Sequence, residues 1–151
     1  MSGFGLEIQG DIEQALLELQ DRASDLRPVG LDTALLIQAD VDERFERSPS
    51  TTTGGAIFGG GSWEPLTEDY LKRRPERAFG QLLRDTSDLL GSFTVGGEGN
   101  LTEIDRTSVE FGSTLPKARG LQDKRPMIFP HDELVESIER LWSDYIIGDL
   151  K

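Results

Sequence analysis

The sequence predicts an α+β domain in which helices open and close the chain and pack on a small antiparallel sheet between them. Three observations predict it. Apolar residues recur at helical spacing over residues 8–47 and 134–145. The period switches to alternation around Thr107, Val109 and Phe111. The two patterns are segregated along the chain, not interleaved as in a doubly wound α/β domain. With 151 residues, the chain is read as a single domain spanning 1–151.

The first helix is expected from Ile8, Ile12, Ala15, Leu16, Leu19, Ala23 and Leu26, which form one apolar stripe. Asp11 and Glu13 near its start suit the helix dipole. Pro28 and Gly30 interrupt it. A second helix is expected over 31–47, with Leu31, Ala34, Leu35, Val41 and Phe45 on one face and Asp40, Asp42, Glu43 and Glu46 among the polar positions. Ser48-Pro49 ends it, because the residue before proline disfavours helical dihedrals.

Residues 50–62 read STTTGGAIFGGGS. Five glycines and three threonines in that stretch predict a mobile loop, not a helix or a central strand. Its two large apolar residues, Ile57 and Phe58, either dock on a neighbouring molecule or fold back onto their own core. Trp63-Glu64-Pro65-Leu66 leads to a short helix capped by Thr67, with Glu68 and Asp69 in its first turn and Pro75 stopping it. The basic triplet Lys72, Arg73 and Arg74 sits at its end.

Phe79, Leu82, Leu83, Thr86, Leu89 and Leu90 space as a further helix ending at Gly91. Phe93-Thr94-Val95 is expected as a strand, pairing across a loop of residues 100–106 with the strand around Thr107, Val109 and Phe111. Residues 114–125 read as irregular and basic, and Met127-Ile128-Phe129 as a short third strand. The last helix is expected to open near Asp132 as its N-cap, with Glu133 behind it, and to bury Leu134, Ile138, Leu141 and Tyr145, with Val135 and Trp142 flanking and Gly148 at its end.

Composition narrows the chemistry. The chain has no cysteine, which excludes disulfides, thiolate nucleophiles and cysteine-ligated zinc. Its one imidazole, His131, follows Pro130 and reads as structural or exposed. No P-loop, dinucleotide fingerprint or nucleophile elbow is present, and the carboxylate pairs Glu133/Glu136 and Asp40/Glu43 read as solvated helix faces. Catalytic, cofactor and metal residues are therefore expected to be none. No apolar run approaches the roughly 20 residues that span a bilayer, and Met1 to Gly10 lacks the basic and apolar regions of a secretory signal. The net charge of −12 is uneven: −7 over residues 1–49, −1 over 50–130 and −4 over 131–151. Acidic ends repel phosphate, so wrapping of nucleic acid is not expected.

From Arg44 onward an ordered set of short motifs recurs: Phe45, Ser48-Pro49, Trp63-Glu64-Pro65-Leu66, Tyr70 with Lys72-Arg73-Arg74, Leu82-Leu83-Arg84-Asp85-Thr86, Leu89, Ser92, Val109-Glu110-Phe111-Gly112-Ser113 and Arg125-Pro126. This order, over about 100 residues, resembles the virion morphogenesis, or tail-completion, family of Mu-like tailed bacteriophages. Two departures stand out. Where that family carries a Tyr-Ala…His-Gln-x-Gly segment, this chain has Lys117-Ala118-Arg119-Gly120-Leu121-Gln122, keeping Ala118 and Gln122. The loop before Trp63 is also longer than the family's.

The resemblance implies helices on a small antiparallel sheet, no catalytic residues, and a multi-subunit ring where the head connector meets the tail. The expected partners are further copies of the chain, in a hexameric or dodecameric ring, and neighbouring neck and tail proteins: connector or adaptor, tail terminator, tube or sheath. The expected location is the virion, assembled in the host cytoplasm, with at most passive contact with DNA in a channel and no membrane. The interface residues expected are Ile57, Phe58, Trp63, Lys72, Arg73, Arg74, Lys117 and Arg119. Trp63 and Pro65 also read as a clamp holding the loop to the core. A tail terminator is the nearest alternative, and an acidic DNA mimic the alternative of another class.

Overall fold

The computed structural model describes residues 14–84 and 87–148. Ile8, Asp11, Ile12, Glu13, Asp85 and Thr86 lie outside the described residues. The chain is α+β, with six helices and two small antiparallel two-stranded sheets among the described residues.

Residues 14–23 form helix α1. A 3-10 turn, Arg27–Val29, carries Pro28 in its first positions, where a missing N–H costs nothing. It leads directly into α2, Gly30–Glu46. Strands β1 (Gly55–Ala56) and β2 (Ser62–Trp63) form a short hairpin with Gly55 opposite Trp63. Helix α3, Glu68–Arg73, starts as predicted: the Thr67 hydroxyl accepts the Tyr70 backbone N–H at 3.2 Å. A 3-10 turn at Pro75–Ala78 and helix α4, Ser87–Gly91, follow. Strands β3 (Asn100–Ile104) and β4 (Val109–Ser113) pair antiparallel, Asn100 with Ser113 and Ile104 with Val109. Helices α5 (Pro116–Lys124) and α6 (Asp132–Ile147) complete the chain, and Gly148 ends α6 at φ 52°.

The core is one cluster built by α2, the two hairpins and the segments between them. It contains Val41, Phe45, Ile57, Trp63, Leu82, Leu89, Phe93, Ala118 and Met127. Phe45 meets Trp63 edge-on with ring centroids 5.8 Å apart, a favoured aromatic geometry. Helix α6 lies along α2, where the Trp142 indole N–H donates to the Thr33 hydroxyl at 2.9 Å.

Several local expectations are corrected. The helix expected from Phe79 to Leu90 is confined to Ser87–Gly91 among the described residues. Backbone pairing competes with it: Leu82 donates to the Pro49 carbonyl, Thr51 to that of Gly80, and the Gln81 amide to the carbonyls of Glu46 and Ser48. Phe93-Thr94-Val95 is a turn extending α4, because Phe93 and Thr94 donate back to Leu90 and Gly91. The partner of β4 is instead residues 100–104, expected to be loop.

Residues 116–124, expected to be irregular, form α5, which Pro116 opens at a position where helices favour proline. Met127-Ile128-Phe129 is not a strand. The Gln122 side chain supplies hydrogen bonds that a neighbouring strand would offer: its oxygen accepts from the N–H of Met127 and Ile128, and its amide donates to Ile128. On α2 the expected stripe is rotated. Ala34, Val41 and Phe45 are buried, whereas Leu31 and Leu35 are 49% and 42% exposed and Asp40 is buried.

Candidate functional site

Two polar features draw together residues far apart in sequence. The first is a groove of about 490 Å³ between α3 and α5. Its floor is apolar, with Leu66, Leu82, Leu83, Leu89 and Leu121. Its lining carries five cationic side chains, Arg73, Arg77, Lys117, Lys124 and Arg125, against one acid, Glu64. In a chain of net charge −12 this is a concentrated reversal of sign.

Local sequence builds the groove. Thr67 caps α3 and so directs Tyr70 and Arg73 along one wall. Pro116 starts α5, placing Lys117, Leu121 and Lys124 at i, i+4 and i+7 on one helical face. The walls are locked by a reciprocal clasp: Arg125 donates to the carbonyls of Glu64 at 2.8 Å and Pro65 at 2.9 Å, while the Trp63 indole donates to the Pro126 carbonyl at 2.8 Å. Burial draws the Arg125 guanidinium below the ordinary arginine pKa, and the nearby Glu64 charge works in the opposite direction. Lys117 bridges to Asp88 at 2.7 Å across the rim. Leu83 on the floor adopts φ 61°, a left-handed conformation that costs a leucine about 1–2 kcal/mol. Cations over a leucine floor suit a negatively charged partner that also has an apolar face.

The second feature is a buried ionic cluster. Arg44 is fully buried and donates to Asp40 Oδ2 at 2.7 Å, the Met127 carbonyl at 2.7 Å and the Phe58 carbonyl at 3.0 Å. The other Asp40 oxygen meets His131 Nε2 at 2.5 Å. Phe58 and Phe129 flank the imidazole, edge-on and stacked respectively. Gly59 has φ 92°, and a Cβ there would lie 2.6 Å from His131 Cδ2, so only glycine fits beneath the ring. The hydroxyl of Ser137, on the same cleft, donates to the Glu133 carbonyl of its own helix. Besides its pair with Asp40 on the same helix, Arg44 ties α2 to the 57–60 turn through Phe58 and to the 127–131 segment through Met127, which is a fastening role.

The residues expected at an interface divide accordingly. Arg73 and Lys117 come together in the groove. Lys72 is exposed on α3, and Arg74 pairs with Glu76 at 2.5 Å. Arg119 is exposed on α5 but lines a different cleft, beside Phe93 and Ile128. Ile57 and Trp63 are corrected as surface contacts: they are 6% and 1% exposed and belong to the core. Phe58 is half-buried against His131. Folding back therefore describes the 50–62 segment, and Trp63 acts as the clamp. Arg77, Lys124 and Arg125 also line the groove and are not among the expected interface residues. The seven-residue spacing of Lys117 and Lys124 was the available signal, obscured by reading 114–125 as irregular.

Asp40 is also corrected: it is a buried ion-pair partner, not part of a solvated carboxylate face. Among the described residues no three His, Asp or Glu side chains form a group able to hold a metal ion, and no helix is long and apolar enough to cross a membrane. No family model, curated protein or solved structure matches the chain.

Proposed function

We propose that this chain is a structural subunit of a tailed-phage neck, assembling with its own copies into a ring at the head–tail junction and joining head connector to tail. The observation that carries this reading is the convergence of the motif residues on one framework. Trp63-Glu64-Pro65 and Arg125-Pro126, some 60 residues apart, are bonded to each other. Phe45 packs on Trp63, and Pro49 holds Leu82. Ser92 is fully buried and donates to the Leu89 carbonyl at 2.6 Å.

The divergent segment supports the same reading. The two residues it retains are the ones facing inward: Ala118 is 5% exposed, and Gln122 fastens residues 127–128. Motif positions that serve packing and fastening fit a family defined by shape and assembly. A tail terminator would share this framework. The acidic DNA mimic loses support, because a mimic presents carboxylates at phosphate spacing and this surface carries a cation-lined groove.

The test is particle composition. Quantitative mass spectrometry of purified virions is expected to find the chain in several copies per particle, and a null mutant is expected to accumulate unjoined heads and tails. Absence from mature virions, or normal joining without the chain, refutes the proposal.

A further inference from the structure

We infer that the basic groove between α3 and α5 receives helix α1 of a second copy of the chain, making a head-to-tail contact. The inference deepens the ring reading above and rests on it. The groove and the helix carry matching features. The groove offers a leucine floor under five cations. Helix α1 presents Leu16 and Leu17 at 57% and 61% exposure, beside Glu18 and the exposed Asp21. Among the described residues α1 carries Glu18, which pairs with Arg22 of the same helix, and the exposed Asp21, which is the charge set against the groove's cations. Apolar and charged surface thus complement each other, with Leu16, Leu17 and Asp21 exposed on α1 and Arg73 and Lys124 exposed in the groove.

Geometry makes the contact intermolecular. Arg22 ties the end of α1 to α6 by donating to the carbonyls of Ile146 at 3.1 Å and Ile147 at 3.0 Å. The following turn is fastened by Leu26 to Arg106 and by the Tyr145 hydroxyl to the Asp25 carbonyl. The groove is built from residues 64–89 and 117–125, so the two patches share no residue. A contact between unlike patches leaves a pair of copies with one free groove and one free helix. Such a heterologous interface adds further copies and closes into a ring where its rotation allows.

The experiment uses the full chain with two sets of substitutions, Leu16→Ser with Leu17→Ser on the helix and Lys124→Glu with Arg73→Glu on the groove. Both sets lie on the surface, and unchanged thermal melts establish that each variant folds. Sedimentation velocity is expected to show concentration-dependent assembly of the unmodified chain, weakening as salt screens the charges. Each variant alone is expected to dissociate at least about 100-fold more readily. An equimolar mixture of the two is expected to form a dimer that grows no further, because it holds one intact groove and one intact helix.

Should the helix variant unfold, Lys124→Glu opposite Asp21→Lys replaces it, with association expected to return on mixing copies that bear the two reversed charges. Assembly of either variant at wild-type strength, a mixture that stays monomeric, or an unmodified chain that never self-associates overturns the inference. In all three cases the neck reading is judged separately by virion composition.

Discussion

Arg44 and Asp40 form a fully internal ion pair one helical turn apart on α2, 2.7 Å between Nη2 and Oδ2, with the arginine at zero exposure. Two buried charges are tolerated because their bonding capacity is used: the guanidinium also reaches two carbonyls, and the carboxylate also meets His131. Removing one partner strands the other charge, which costs about 3–5 kcal/mol, whereas replacing both by apolar groups of similar volume costs far less. Asp40→Ala is therefore expected to lower stability by about that amount in urea unfolding. The double replacement Asp40→Leu with Arg44→Met is expected to lie closer to the parent chain. A single replacement costing under about 1 kcal/mol would show that the pair is not desolvated.

Trp63 and Arg125 act on the same clasp from opposite sides, since each donates to the segment that carries the other. Trp63→Phe keeps the aromatic packing but loses the bond to Pro126, an expected loss of about 1–3 kcal/mol. Arg125→Met removes the two bonds to Glu64 and Pro65. Because both replacements release the same joint, their effects are expected to couple by about 0.5 kcal/mol or more in a double-mutant cycle. Strict additivity would mean that the two contacts fasten independent segments.

Several helix ends were legible because their signals are local. The Thr67 cap, Ser48-Pro49 and the Gly148 terminus each act within a turn of the residue that carries them. The interior was less legible because its determinants are long-range. The glycines of residues 54–61 looked like slack, yet Gly59 is small to fit under His131, 72 positions later. Gln122 satisfies backbone groups that hydrophobic pattern alone assigns to a strand. Leu31 and Leu35 have the right spacing for a core stripe, but Leu31 stays exposed and Leu35 lies on an open cleft beside Ser137 and Leu141 of α6, outside the core. For the groove, Arg73 and Lys117 were visible as basic residues. Their meeting depends on the clasp between Trp63 and Pro126, which neither neighbourhood announces.

Thr51 is 1% exposed, and its hydroxyl has no hydrogen-bond partner within the protein. An unpaired buried hydroxyl carries a desolvation cost of about 1–3 kcal/mol that an apolar group of the same shape avoids. Thr51→Val is thus expected to raise stability by about 1 kcal/mol, seen as a higher denaturant midpoint at unchanged slope. A lower midpoint would mean that the hydroxyl is bonded in solution, for example to a bound water.

Asp25 titrates far below its ordinary range. The Arg27 side chain donates to both its oxygens at 2.8 Å and holds its pKa at about 2, against 3.8 for an unperturbed carboxylate. A depressed folded-state pKa means that the ionised form is favoured by folding. The resulting stability is complete above pH 3.8 and disappears as pH falls through about 2. Carbon-detected NMR titration of the Asp25 carboxyl is expected to place its midpoint near 2, and Arg27→Ala is expected to return it toward 3.8. Because the Tyr145 hydroxyl binds the Asp25 carbonyl, the same acid titration is expected to perturb the Tyr145 ring signals in step with the carboxyl. A wild-type midpoint near 4 would show that the Arg27 contact does not persist in solution.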